Sequence, residues 1–392
     1  MLERPLTVAW ISFFPVEWLL DAPEGIRLLP RRHPAPWQRI LADELRSEPN
    51  LKLHIFSVRS HYPAGYTFTR GNATFHCVKL PRGMRTLTLF WWETIQIRRA
   101  LRRLRPDLVQ AWGTERGAAL VASRLRFPFL ITMQGLLEWY QELVPLGHLS
   151  QLEARLERVS LGRASDVTAE SKFAVNWLKQ HYPHLNLHQV EHAPNWLFHK
   201  VVRKPIPKPV QFLSVGTLGP LKGTDLLLQG LDKLRNDLEF RLTFVSGEAP
   251  EYARMLKSQT SSALWERVTM LTNLSQMEVA EQMARATILL APTRVDNSPN
   301  SVKEAVVAGL PVLASAIGGI VDYVIPGANG LTFPASDLDG FVSAIREAVS
   351  HPLFSRGLVE PATLGTMREY LSPKTMAKGF LRAYQAVDRK AH

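Results

Sequence analysis

Two arrays of alternating strand-like and helix-like segments, separated by the stretch VRKPIPKP at residues 202–209, constrain the fold of this chain more than any other feature. Apolar runs of strand length recur near 6–13, 51–57, 75–79, 108–112, 129–133 and 166–169. Helical patterns fall between them at 37–46, 86–105, 115–124, 149–162 and 172–180. A second array places strands near 210–215, 239–246, 268–271, 287–290, 311–314 and 331–333, with helices at 225–234, 250–258, 276–284 and 338–349. Alternation of this kind predicts an α/β fold of parallel sheets covered by helices on both faces. Three prolines and three cations without periodicity mark 201–209 as a hinge or linker. The expectation is therefore two doubly wound domains, 1–200 and 210–370, facing across a cleft, with ligands at the carboxyl ends of the strands. A length of 392 residues suits two or three domains of roughly 150 residues each.

The net charge of +12 is unevenly placed. Residues 1–200 hold 26 Lys and Arg against 17 Asp and Glu, so the first half carries most of the excess. Such a half suits an acidic partner, whether an anionic membrane surface or a phosphorylated acceptor. Nucleic acid is not expected, because no recognition motif accompanies the charge. No run of eighteen apolar residues is present, the apolar stretch after residue 5 reads as a first strand and not a leader, and Cys77 is the one cysteine. A cytoplasmic protein, peripheral on the inner face of the membrane if membrane-bound at all, is expected.

The chemistry concentrates at 293–320, TRVDNSPNSVKEAVVAGLPVLASAIGGI. Asp296 and Glu304 bracket a polar turn, Pro299 suits the first turn of a helix over 301–308, and Gly309 ends it. The amino end of a helix presents unpaired N–H groups and partial positive charge, which a diphosphate requires. Glu304, one turn inside, faces the same side and can accept hydrogen bonds from sugar hydroxyls. Upstream, residues 212–224, FLSVGTLGPLKGT, run a buried strand into a loop with three glycines, where Lys222 offers a point charge to phosphate.

Together these segments resemble the donor-binding elements of retaining nucleotide-sugar glycosyltransferases with the GT-B fold, family 4. The family pattern of acid, seven residues, Glu, Ala, an apolar run and Gly-x-Pro-Val reads here D-NSPNSVK-E-AVVAGLPV, with Asp296 in place of the usual Glu. Lys222 and Gly223 match the family's K-G, while Thr217 stands at its Arg position; helix amides or a nearby cation such as Arg294 are the expected substitutes. Residues 242–247 and 268–278 resemble the next two units, with Gly247 under the nucleotide and Asn273 and Leu274 at the nucleobase. In the first half, 110–135 resembles the family's strand, helix and strand ending T-x-H-G, with Gln134 in place of His and Gly135 following. The family's early glycine pair is absent; residues 14–32 form a long loop, so the acceptor pocket is not carried over. Residues 371–392 look like the helix that in GT-B proteins crosses back to the first domain.

The resemblance implies two Rossmann-like domains and transfer of a hexose-type sugar, with retention, from a nucleotide-diphosphate donor to a hydroxyl acceptor. That acceptor would be a glycan, a lipid-linked or phosphorylated molecule, or a natural product, as in polysaccharide biosynthesis. Lys222 and the amides of Asn300, Ser301 and Val302 would hold the diphosphate, Glu304 the ribose and Asp296 a sugar hydroxyl. Gly216, Thr217, Asn297 and Ser298 would complete the donor site, and Gln134 with Gly135 the acceptor or donor-sugar side. No metal and no cofactor are expected. The alternative is a catalytically silent GT-B module that binds a nucleotide or glycan beside an active enzyme, because Thr217, Gln134 and Asp296 depart from the pattern.

Two constellations read otherwise. His181, His184, His188 and His192 recur at spacings of three and four, but Pro183 interrupts them and no acid or cysteine cluster accompanies them, so a metal site is not expected. The stretch 86–105, with a Trp pair and several arginines, reads as a helix with one buried and one basic face, or as a lipid-facing segment.

Overall fold

The computed structural model describes residues 2, 4–31, 35–145, 147–247 and 249–391; Arg32, the expected end of the long loop over 14–32, lies outside the described residues. The chain forms two compact units, 1–192 with 373–392, and 193–372.

The first unit is built on an eight-stranded sheet of β1 (Leu6–Ile11), β2 (Leu51–Arg59), β3 (Tyr66–Arg70), β4 (Ala73–Lys79), β5 (Leu108–Trp112), β6 (Phe129–Thr132), β7 (Asp166–Ala169) and β8 (Asn186–Gln189). Their order is β3-β4-β2-β1-β5-β6-β7-β8, and every pair is parallel except β3 with β4. The direction of winding reverses between β1 and β5, which makes their carboxyl ends the topological switch point. All five residues of β5 are buried, as expected of a central strand covered on both faces. The edge strands β3 and β8 are absent from the sequence expectation because both are polar and half-exposed.

Two helices depart from their expected form. In place of one helix over 86–105 there are Met84–Leu87 and Trp91–Leu104, separated by Leu89 and Phe90 at φ +43° and +66°. The break turns the Phe90 ring onto Gly117, where an added Cβ would meet that ring at 2.4 Å. The helix expected from 115 begins only at Ala118, because Gly113, Arg116 and Gly117 take positive φ and hold 113–117 as a loop. The terminal helix Pro373–Ala391 belongs to the first unit: Tyr384 Oη accepts from Trp10 Nε1 at 3.0 Å and donates to Gln110, and Lys390 pairs with Asp166 at 2.6 Å.

The second unit holds a six-stranded, wholly parallel sheet of β9 (Val210–Val215), β10 (Phe240–Ser246), β11 (Val268–Thr272), β12 (Ile288–Ala291), β13 (Val312–Ser315) and β14 (Gly330–Phe333). Its order is β11-β10-β9-β12-β13-β14, with the switch between β9 and β12. Side chains alternate across it: Phe212 joins a core with Phe240, Leu227 and Phe341 on one face, and Leu213 joins Val302, Val306 and Tyr323 on the other.

The units divide after His192, earlier than the expected 200, because the short helix Trp196–His199 sends Phe198 into the second core. Nor is 201–209 a free linker. Lys204 and Ile206 donate backbone bonds to Ala284 and Arg285, and the Arg203 guanidinium donates to the carbonyls of Met283, Ala286 and Gly357, which straps the segment to the second unit. The four histidines have separate partners: His181 the Trp177 carbonyl, His184 the Leu161 carbonyl, His188 Asp166, and His192 Glu170. Among the described residues no helix is long and apolar enough to cross a membrane.

Candidate functional site

Two loops leave the switch point of the second sheet side by side. The first follows β9 through Gly216 and Thr217 to the 3-10 turn Pro220–Lys222 and then to the helix Thr224–Leu234. The second follows β12 through Thr293 to the helix Asn300–Ala308. They are bonded directly: Arg294 N and Thr293 Oγ1 both donate to the Leu221 carbonyl, at 2.8 and 3.0 Å. Gly223 permits this approach. It sits at φ +65°, and a Cβ there would lie 1.9 Å from the Pro292 carbonyl oxygen.

This contact brings Lys222 to Asp296, with which it forms an ion pair across 74 residues of sequence. The second Asp296 oxygen accepts from Ser298 N at 3.1 Å, which holds the turn before the helix. Gly318 and Gly319 support the turn from below: Gly319 N donates to the Asn297 carbonyl at 2.6 Å, and a Cβ on Gly318, at φ +56°, would meet the Asp296 carbonyl at 1.9 Å. Pro299 is the N-cap of the helix, not part of its first turn, and no side chain caps that end. Gly216, Thr217 and Lys222 from one loop, with Thr293, Pro299, Ser301 and Val302 from the other, line a single pocket. A cation and a helix amino end thus meet there, the combination that binds pyrophosphate.

Other sequence-predicted residues lie around this pocket. Gly247 and Asn273 follow β10 and β11, so they stand on the same carboxyl rim without lining it, and Leu274 packs on the core. Asn297 is buried beneath the loop. Glu304 lies one turn into the helix, and burial, opposed by the neighbouring Lys303, pushes its carboxyl up to about 8. Arg294 is a correction. Its guanidinium forks onto Asp225 at 2.7 and 2.8 Å and onto the Pro220 carbonyl, so it clamps the loops together and its charge is not available in place of the missing Arg at 217. Against burial, that fork holds the Asp225 carboxyl below its ordinary value.

Gln134 and Gly135 belong to the first unit, where sequence reasoning missed their neighbours. Glu115, in the loop expected to be helical, lies against both Gly113 and Gly135, and burial pushes its carboxyl up to about 7 despite backbone hydrogen bonds. The signal was the glycine pair bracketing G-T-E-R-G, which marks a loop. Behind it Glu157, fully buried, accepts from Thr114 Oγ1 and from Glu138 N at 3.1 Å. Burial, reinforced by Glu115, pushes Glu157 up to about 8. The folded chain therefore keeps a proton here that the unfolded chain releases above about 4.5, so this contribution to stability is complete below that pH and is lost as pH rises through 8. Thermal unfolding of Glu157→Gln should match the parent at pH 5 and exceed it by about 4 °C at pH 8.5.

Comparison with known proteins accords with this architecture. Residues 209–351 match the family model described as Glycosyl transferases group 1, and residues 31–197 match Glycosyltransferase Family 4. Glycogen synthase of Mycobacterium tuberculosis is 25% identical over 160 residues, 41% of this chain and 38% of that protein. D-inositol 3-phosphate glycosyltransferase 1 of Catenulispora acidiphila is 28% identical over 149 residues, 36% of each chain. The chain thus spans well under half the length of these curated relatives. Over nearly the whole chain the fold is similar to sucrose-phosphate synthase from Thermosynechococcus elongatus, with a TM-score of 0.79 at 17% identity, covering 99% of this chain and 100% of that one. With two doubly wound sheets, paired loops at the second switch point and family models spanning most of its length, this chain belongs to the family 4 glycosyltransferases of GT-B fold.

Proposed function

We propose that the chain transfers a hexose-type residue from a nucleotide-diphosphate sugar to a hydroxyl acceptor with retention of anomeric configuration and without a metal ion. The observation that carries this reading is the shared pocket of Lys222 and the uncapped amino end of Asn300–Ala308. In transfer the departing diphosphate gains negative charge, and fixed positive groups aimed at it lower the barrier more than they stabilise the ground state. Donor binding exchanges the Lys222–Asp296 pair for a Lys222–phosphate contact, which leaves Asp296 to accept from a sugar hydroxyl. Glu304 takes the ribose as a hydrogen-bond acceptor. Incubation with UDP-, GDP-, ADP- and dTDP-sugars, followed by NMR of the anomeric proton, tests this. One donor should be consumed with its configuration kept, and EDTA should leave the rate unchanged. Inversion, or a rate abolished by EDTA and restored by a divalent ion, would contradict it. Thr217 and the engagement of Arg294 favour a second reading, a silent binding module, whose signature is nucleotide binding with no donor consumed.

The proposed acidic partner of the first unit is an anionic membrane surface. Leu87, Trp91 and Ile95 are 82%, 48% and 41% exposed, and Arg99, Arg102 and Arg103 continue the exposed face of the helix Trp91–Leu104. Vesicles with anionic lipid should sediment the parent chain and not a Leu87→Glu, Trp91→Glu variant, and vesicles of zwitterionic lipid should sediment neither.

A further inference from the structure

The Lys222–Asp296 ion pair joins the cation proposed for the diphosphate to the acid proposed for the sugar, so the two groups satisfy each other within the protein. They are held unequally. The second oxygen of Asp296 accepts from Ser298 N at 3.1 Å, and Gly319 N fixes the turn below by donating to the Asn297 carbonyl at 2.6 Å. Lys222 reaches the acid from the other loop on a flexible four-carbon stem. The acid is therefore the fixed member of the pair and the ammonium the one that moves. Their side chains are 15% and 36% exposed, so water screens the pair only in part.

A phosphate that takes Lys222 takes it from Asp296, and what then faces the released carboxylate decides the cost. A nucleotide sugar carries hydroxyls beside its diphosphate, and one of them can donate to that oxygen. A free nucleoside diphosphate brings negative charge instead, so Asp296 loses a cation and gains an anion as its neighbour. Arg294 offers no relief, because its guanidinium is forked onto Asp225 at 2.7 and 2.8 Å. Discrimination of this kind comes from a charge left unpaired by the wrong ligand, with no added contact to the right one.

We propose that Asp296 selects against the free nucleoside diphosphate: by competing for Lys222 it weakens that ligand about tenfold, while the intact nucleotide sugar, which supplies a hydroxyl in exchange, is spared. A tenfold weakening corresponds to an ammonium that spends about nine-tenths of its time on the acid. After the sugar has been transferred, the same carboxylate retakes Lys222 and the diphosphate leaves. This role rests on the pyrophosphate contact of Lys222 proposed above; the discrimination needs binding alone, and its use in product release needs transfer as well.

Calorimetric titration with UDP, GDP, ADP and dTDP, each beside its monophosphate, tests it on the parent chain, Asp296→Asn, Lys222→Ala and the double variant. Asparagine keeps an oxygen for Ser298 N, so thermal unfolding without nucleotide should stay within about 2 °C of the parent. Asp296→Asn should bind the preferred diphosphate about tenfold more tightly than the parent does, and the monophosphate no more tightly. A side chain that merely shapes the turn would give equal or weaker binding. On the Lys222→Ala background the same substitution should gain less than about threefold, since no ammonium is there to release. An unchanged or lowered diphosphate affinity in Asp296→Asn, an equal gain for the monophosphate, or an equal gain with and without Lys222 would overturn the proposal. Should the pyrophosphate contact itself be wrong, Lys222→Ala keeps the parent's diphosphate affinity, and the proposal falls with it. Should this inference alone be wrong, Lys222→Ala loses its preference for the diphosphate while Asp296→Asn binds that nucleotide no more tightly than the parent.

Discussion

A Lys222→Ala chain consumes its donor sugar about 100- to 1,000-fold more slowly than the parent, the loss expected when one preorganised group stabilising a developing anion is removed. Two effects separate this from a structural role. Lys222 is half-exposed, so its removal leaves no cavity, and Asp296 keeps its bond from Ser298 N. Thermal unfolding of the variant should therefore stay within about 2 °C of the parent. The loss falls mainly on kcat, because the phosphate charge that Lys222 meets is greatest in the transition state. Lys222→Arg keeps the charge in a different shape and should recover only part of the rate.

Gly223→Ala acts on the same site through the backbone and has the larger effect on stability. The residue is at φ +65°, which an L-residue adopts under strain, and its new Cβ would lie 1.9 Å from the Pro292 carbonyl oxygen. Relief requires the two loops to separate, which breaks the bonds of Thr293 and Arg294 to the Leu221 carbonyl. A cost of about 2–4 kcal/mol follows, or roughly 5–10 °C in thermal unfolding. Nucleotide binding is lost as well, because Lys222 no longer faces the helix amino end. Gly216→Ala is the control: nothing lies within 4 Å of a Cβ there, although its φ of +147° carries some strain of its own. A Gly223→Ala chain that unfolds with the parent and binds nucleotide normally would show that the loop contact does not build the pocket.

The second unit was legible in the sequence because its signals are local. Val210–Val215 and Val312–Ser315 are short apolar runs ended by glycine or polar turns, and the acid spacing around Pro299 sits on one continuous segment. The Lys222–Asp296 pair was not legible, since it depends on two loops meeting at Gly223, and neither was the engagement of Arg294 by Asp225. The first unit reads less well for a related reason. Its decisive features are backbone excursions to positive φ at Leu89, Phe90 and Arg116, residue types that carry no turn signal. The expected helix over 115–124 accordingly hid Glu115, the residue that faces Gln134 across Gly113. Similarly, 201–209 reads as a linker by composition, and only the carbonyls around Arg203 show why it is fixed.

The central claim is that Lys222 and the amino end of Asn300–Ala308 take one pyrophosphate. Calorimetry with a nucleoside diphosphate and the matching monophosphate, on the parent and on Lys222→Ala, addresses it most directly. The parent should bind the diphosphate at least about tenfold more tightly, and the variant should bind both nucleotides equally. A Lys222→Ala chain that keeps the parent's full preference for the diphosphate would contradict the account.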